Sequence, residues 1–331
     1  MAENLSIRKV LISRTDSIGD VILTLPMAGL LKKHMPDAEV FFLGRNYTLP
    51  ILAQCTHLSG SISMDNPTWK QQLRARQFDA IIHVFPRKSI AQEALSAGIP
   101  MRIGVSRRWY HLYACNKLLH FSRKHSDLHE ARLNLKLLSP LIGEHEVPLS
   151  SISDYYGLIA PQKLPFDIEK KLDSQRKKII LHPLSQGSAR EWGTHNFKVL
   201  AKALLEKGYQ VIITGTANEQ VRYSAALQIE HSHFIDLGGK LSLEELMALI
   251  SKCDALVAAS TGPLHLAAAF GIKAIGLYSP LRPIHPGRWA PLGRDVSVIT
   301  HNVAAEIGKK AKTDNSMALI SPERVLSLLN F

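Results

Sequence analysis

Residues 13–26, SRTDSIGDVILTLP, join a short apolar run to an amphipathic one and carry one glycine and two carboxylates at the junction. A loop that cradles a phosphate between a strand and a helix brings several glycines or a lysine, because backbone amides and a cation must face the anion. Neither pattern is present. The run before it, KVLIS (9–13), reads as a buried strand, and GDVILTLPMAGLLKKH (19–34) has the apolar spacing of a helix. Asp16 and Ser17 therefore fall where helix caps and dipole partners sit, a role worth about 0.5–2 kcal/mol. Asp20, beside Gly19, lies at the helix start and at the carboxyl end of the strand, where a general base is plausible chemistry.

Outward from this junction the same alternation repeats. EVFFLG (39–44), DAIIHVF (79–85), KKIILHP (177–183), YQVIITG (209–215), HFIDLG (233–238), DALVAA (254–259) and KAIGLY (273–278) are short β-rich runs with helical patterns between them. Strands alternating with helices imply parallel sheets covered on both faces. The polar, proline-containing stretch 160–178 separates two such series. The expectation is an α/β protein of two Rossmann-like domains, 1–165 and 175–331, with the last helix free to pack back on the first. The site is expected in the cleft between them, at the loops that follow the strands.

At 331 residues the chain is long enough for two cores, and its 46% hydrophobic and 21% charged residues are those of a globular protein. The N-terminus lacks the apolar stretch of a signal peptide, and Cys55, Cys115 and Cys253 are too few and scattered for a disulfide framework or a zinc site. Its most apolar region, DALVAASTGPLHLAAAFGIKAIGLYSP, is broken by glycine, proline and histidine, so no membrane span is expected. A reducing cytoplasm is the expected compartment. The net charge is +12, and residues 69–136 hold 13 Lys/Arg against 4 Asp/Glu. That excess is either a solvated face or a surface for an acidic partner such as nucleic acid, anionic lipid or a phosphorylated sugar.

The remaining strand-end loops supply donors. HPLSQGSAREWGTHNF (182–197) offers Ser185, Gly187, Ser188 and Arg190, a set able to hold a diphosphate, ahead of a helix capped by Thr194. Equally, Arg190 is an ordinary surface cation and Trp192 a core residue. In ASTGPLHLAAA (259–269), Ser260, Thr261 and Gly262 open a helix whose free amides make an anion site. His265, one turn along from Thr261, is either a packed core residue or part of that site. Glu219 in TGTANEQ is either a ribose acceptor or a first-turn helix carboxylate, and Arg288 in HPGRWAPLG either a ligand cation or a solvated one.

Taken in order, RTDSIGDVILTLP, DAIIHVFPRKS, LHPLSQGSAREWGTHNFKVLAKAL, IDLGGKLSLEELMALISKCDALVAASTGPLHLAAAFG and HPGRWAPLG resemble the ADP-heptose:lipopolysaccharide heptosyltransferases of glycosyltransferase family nine, over nearly the whole chain. The resemblance implies a GT-B fold and an inverting transfer with neither metal nor cofactor. It implies a nucleotide-sugar donor, ADP-heptose foremost, held by the second domain, and an acidic glycolipid acceptor held by the first at an anionic membrane surface. Nucleic acid is not an implied partner. By the same resemblance Asp20 is the base. Arg190 neutralises the diphosphate, with Ser185, Ser188, Thr261, Gly262 and His265 around it. Glu219 binds ribose, Leu241 lines the base pocket, and Arg14, Arg87 and Lys88 lie on the acceptor side. The chain departs from the family at Ser260, where an aspartate is usual, which leaves room for another nucleotide sugar and another glycan. An NAD-dependent oxidoreductase ranks low because no GxGxxG is present. A nucleic-acid binder would explain the charge but not the loops.

Overall fold

β1 (Lys9–Ser13) is buried at Val10, Leu11 and Ile12, because it lies inside its sheet with helices covering both faces. It pairs in parallel with β2 (Glu39–Gly44), Val10 opposite Val40, and with β4 (Ala80–His83), Val10 opposite Ala80. With β3 (Gly60–Ser63), β5 (Met101–Val105) and β6 (Lys117–Leu119) the order is β3-β2-β1-β4-β5-β6, every pair parallel. The computed structural model that gives this architecture describes residues 7–124, 126–187, 189–301 and 316–331.

The second sheet repeats the plan with β7 (Lys178–His182), β8 (Gln210–Ile213), β9 (Phe234–Asp236), β10 (Ala255–Ala259), β11 (Lys273–Tyr278) and β12 (Val296–Thr300). Its order is β12-β11-β10-β7-β8-β9, again parallel. In both sheets the chain starts in the middle, works to one edge, then crosses back to build the other half. Side by side at the crossing lie β1 and β4 in one sheet, β7 and β10 in the other. Loops leaving their carboxyl ends diverge there and open a crevice. The α/β class and the GT-B plan of two Rossmann-like sheets expected from the sequence are the architecture found.

The chain divides into two compact units, Met1–Ile159 and Ala160–Phe331. The first has a core of Leu11, Phe41, Leu43, Ile81, Ile90 and their neighbours, with Phe41 and Phe78 packed edge to face. In the second, Trp192 and Phe197 pack edge to face beneath the helix Thr194–Glu206. The last helix, Pro322–Ser327, lies in that second core, burying Val325, with Leu329 just beyond it. Tyr209 Oη donates to Leu329 O at 3.2 Å.

All eight expected strands form, and β3, β5, β6 and β12 add to them. Two local expectations are corrected. The helix read over 19–34 is two helices, Ile18–Ile22 and Pro26–His34, because Pro26 has no N–H to continue the first and sits well at the start of the second. Thr194 is the first helical residue rather than the cap, which is Gly193 at φ +99°, a conformation glycine adopts without strain. Among the described residues no helix is long and apolar enough to cross a membrane.

Candidate functional site

At the switch point of the first sheet, the loop after β1 places Arg14 under the short helix Ile18–Ile22. Arg14 is 3% exposed and is surrounded by acceptors. Nε donates to Asp16 Oδ1 at 2.6 Å and Nη1 to Glu130 Oε1 at 3.0 Å, while Nη2 forms an ion pair with Asp20 Oδ1. Burial alone would lower the Arg14 pKa, but Asp20, Asp16 and Glu130 outweigh it and hold the guanidinium charged, well above its ordinary value. Burial pushes the Asp16 carboxyl up, against Arg14, and Asp20 adds to the rise.

Asp20 is half-buried. Its second oxygen, Oδ2, accepts from Ser17 Oγ. Ser17 occupies the cap position, yet its side chain makes no capping bond and serves Asp20 instead. One carboxylate is thereby fixed at both oxygens, at the carboxyl edge of the sheet.

Arg14, expected on the acceptor side, is a buried hub: Asp16, Asp20 and Glu130 occupy the guanidinium, which orients Asp20. Arg87 does belong to the loop: Nε donates to Thr15 Oγ1, and Nη2 to Thr15 O at 3.2 Å. Lys88 points elsewhere, with Nζ 5.0 Å from the centre of the Trp109 ring. The sequence reading missed Glu130 and Asn134. Asn134 Oδ1 accepts from Arg14 Nη1 at 3.4 Å, and its Nδ2 donates to Leu23 O at 3.0 Å, which ties the helix Glu130–Leu135 to the Asp20 loop. The only signal was an acid, Glu130, inside a basic segment.

Beneath the same crevice, Ser13 and His83 are register partners across β1 and β4, both fully buried. Ser13 Oγ and both His83 ring nitrogens have no hydrogen-bond partner among the described residues. The His111 ring lies 5.3 Å from that of His83, and its Nδ1 is 3.0 Å from Val105 O. Burial pushes His83 down to about 3, with His111 and Arg102 acting in the same direction.

In the second unit the loops after β7 and β10 meet. Arg190, Ser260, Tyr278 and Ser279 line one recess with Ala189, Leu277 and Ile284. Arg190 is exposed at its rim. Burial raises the Tyr278 pKa, opposed by a hydrogen bond with Ser260, and Tyr278 Oη donates to Trp289 O at 2.6 Å. Arg288, stacked 5.1 Å from the Trp289 ring, stands on the helix Pro286–Trp289 behind that contact. Thr261 precedes the helix Gly262–Ala269 but makes no capping bond, and its buried Oγ1 has no partner among the described residues. His265, one turn on, is 3% exposed.

Ser185, expected at the diphosphate, is engaged within its own loop. Its Oγ donates to Ala189 O at 2.9 Å and its N–H to Glu191 Oε1 at 3.1 Å, so it staples the loop that presents Arg190. Arg222 Nη2 holds Glu191 from the far side at 2.9 Å. Ser188 lies outside the described residues. Trp192 is a core residue whose Nε1 donates to Ile320 O.

Glu219 completes a capping box: its Oε2 accepts from Thr216 N at 2.7 Å while Thr216 Oγ1 accepts from Glu219 N. Close by is His182, missed by the sequence reading. Its Nδ1 lies 3.0 Å from Thr214 Oγ1, and burial lowers its pKa while Glu219 opposes the fall. Leu241 is half-buried just before Ser242, which caps the helix Leu243–Ser251 in a second capping box with Glu245. Among the described residues no group of three or more His, Cys, Asp or Glu is placed to hold a metal ion.

The chain is 25% identical to lipopolysaccharide heptosyltransferase 2 of Escherichia coli (strain K12), over 97% of each chain. Its fold matches a structure of E. coli ADP-heptose lps heptosyltransferase II at a TM-score of 0.75 and 23% identity, covering 98% of this chain and 97% of that one. It matches a glycosyl transferase family 9 protein from Veillonella parvula at 0.78 and 18% identity, covering 97% and 95%. The family model for glycosyltransferase family 9 (heptosyltransferase) matches residues 68–318, and with that span the chain belongs to this family of enzymes.

Proposed function

We propose that the protein transfers heptose from ADP-heptose to a hydroxyl of a lipopolysaccharide inner-core acceptor, with inversion at the anomeric carbon and without a metal ion. The observation that carries this reading is a single carboxylate, Asp20, held at the switch point of the first sheet in a chain of this family. In the step, Asp20 takes the proton of the acceptor hydroxyl as its oxygen bonds to the anomeric carbon. The bond from that carbon to the diphosphate oxygen breaks, and ADP leaves with the electron pair. Arg14 and Ser17 fix the rotamer, so little reorientation is needed at the moment of transfer.

The leaving diphosphate needs positive charge and amide donors. Arg190, the Thr261 hydroxyl and the first-turn amides at Gly262 and Leu264 supply them, with His265 behind, while Ser185 staples the loop that carries Arg190. Glu219 reaches the ribose with the oxygen that the capping box leaves over, and Leu241 packs on the nucleoside. Arg87 stands on the acceptor side, at the loop that holds Asp20.

A second reading, transfer of a different nucleotide sugar to another surface glycan, is favoured by Ser260. There a hydroxyl bonded to Tyr278 takes the place of a carboxylate.

The test is thermal stabilisation by ADP, ADP-heptose, UDP, GDP, dTDP and NAD with a chelator present, followed by transfer assays of wild type and Asp20→Asn. A ligand at about 100 times its Kd adds roughly 2.7 kcal/mol. Stabilisation by ADP, larger with ADP-heptose, is expected. Asp20→Asn should keep that response and lose transfer by about 10²–10⁴-fold. Selective stabilisation by UDP, GDP or dTDP would establish the second reading. Transfer abolished by the chelator would overturn the metal-free step, and an active Asp20→Asn would overturn the base.

A further inference from the structure

Three large apolar side chains stand exposed together on the first unit. Trp109 is 63% exposed, Leu112 61% and Tyr113 46%, spaced i, i+3, i+4 across the helix His111–Ala114. His111 and Ala114 bury the opposite side of that helix. The Trp109 and Tyr113 rings lie 5.9 Å apart, so the group is one continuous patch. Contiguous exposed apolar groups of this kind mark interaction surfaces, whereas scattered ones do not.

The surroundings of the patch are cationic. Arg107, Arg108 and Lys117 are exposed beside it, and Lys88 Nζ sits 5.0 Å from the Trp109 ring centre. From 94 to 126 the chain has six Lys or Arg and no Asp or Glu. The flanking Glu93 is buried and paired with Arg74 at 2.6 Å, so it does not offset the field.

The patch also lies on the edge that carries Asp20. It follows β5 at the carboxyl end of the sheet, and Arg87, bonded to Thr15 of the Asp20 loop, is the chain neighbour of Lys88.

We propose that this patch docks the enzyme on an anionic phospholipid bilayer, with Trp109 and Tyr113 at headgroup level, Leu112 deeper, and Arg107, Arg108, Lys88 and Lys117 on the lipid phosphates. Amphipathic aromatic rings favour the headgroup region, and clustered cations are drawn to anionic leaflets. A second copy of the chain is disfavoured as occupant, because self-association would set two like-charged rims against each other. The inference rests on the proposed reaction only in that a glycolipid acceptor is itself bilayer-borne.

The test uses the full chain and vesicles of phosphatidylcholine, with and without phosphatidylglycerol. Wild type should cosediment with the anionic vesicles, and bromine-labelled lipid should quench a component of its tryptophan fluorescence. Trp109→Phe should remove that component. Trp109→Ser with Leu112→Ser should weaken binding roughly tenfold or more while leaving ADP-heptose stabilisation unchanged, since both sites are exposed. Wild type indifferent to anionic vesicles, a double variant that binds as well as wild type, or no Trp109-dependent quenching would overturn the proposal. A dimer lost in the double variant would reassign the patch to a second copy. Failure of ADP-heptose to stabilise the soluble protein would count against the proposed reaction and leave the vesicle result standing.

Discussion

The loop after β1 and the loop after β10 both open at a switch point of sheets with the same strand order, yet their polar groups are in opposite states. The first is saturated: Arg14 engages three carboxylates, and Asp20 is held at both oxygens. In the second, Thr261 keeps a buried hydroxyl with no partner among the described residues, ahead of a helix with no acidic residue in its first turn. In the proposed reaction, the group that takes a proton in a fixed direction is held before substrate arrives, and the surface proposed to bind an anion keeps a donor unmatched for the anion to complete.

Removing the hub of the first loop should produce the largest effect. Arg14→Met strips Asp16 and Asp20 of their shared counter-charge and leaves Glu130, 1% exposed, with Arg123 alone, and should destabilise the protein by about 3–5 kcal/mol in urea unfolding. Arg190→Met, at an exposed position, should change stability by less than about 0.5 kcal/mol. Equal effects of the two variants would erase the contrast between the loops.

Acid distinguishes the units next. His83 binds a proton at its ordinary pKa of 6.5 when unfolded but only near 3 when folded. Its contribution to stability is complete above pH 6.5 and is lost progressively as pH falls toward 3, at up to roughly 1.4 kcal/mol per pH unit. His83→Leu should flatten that slope. His182→Leu should flatten it as well, since burial lowers His182 against the opposing charge of Glu219. Urea midpoints between pH 7 and pH 4 check both slopes.

Thr261→Val keeps the shape and deletes the unpartnered hydroxyl. The ligand-free protein should be as stable as wild type or more so, by about 1 kcal/mol, while ADP affinity falls roughly tenfold by calorimetry. A destabilised variant with normal affinity would show that the hydroxyl serves the fold. The smallest effect belongs to Glu219→Gln, whose amide oxygen can still close the capping box. Stability should fall by less than about 1 kcal/mol and ADP affinity by a few-fold. Unchanged affinity would leave Glu219 a cap alone.

What the sequence made legible follows from what is local. Buried central strands announce themselves as continuous apolar runs, and KVLIS and DALVAA were read to within a residue. The strands that escaped lack that signal. β3 is GSIS and β6 only KLL, both edge strands paired on one side, and β5 carries an arginine and a glycine within five residues. The placement of Asp20 at a strand end and helix start is legible because its glycine, its strand and its helix are adjacent in the chain. That Arg14 is a buried hub is not legible, because its partner Glu130 is 116 positions away. Likewise, nothing local distinguishes the hydroxyl of Ser185, engaged by Ala189, from that of Thr261, which is unengaged.

The order in which the sheets are laid down has a consequence for synthesis. In each sheet the first strand made is a central one, and the neighbour on its second side, β4 for β1 and β10 for β7, is made only after two further strands and their helices have left the ribosome. Until then the nascent chain presents a long, apolar, unpaired edge at β1 and later at β7, the kind of surface on which growing chains pair wrongly with one another. Translation that pauses between residues 44 and 80, or between 213 and 255, should raise the demand for chaperones more than pauses elsewhere in the gene.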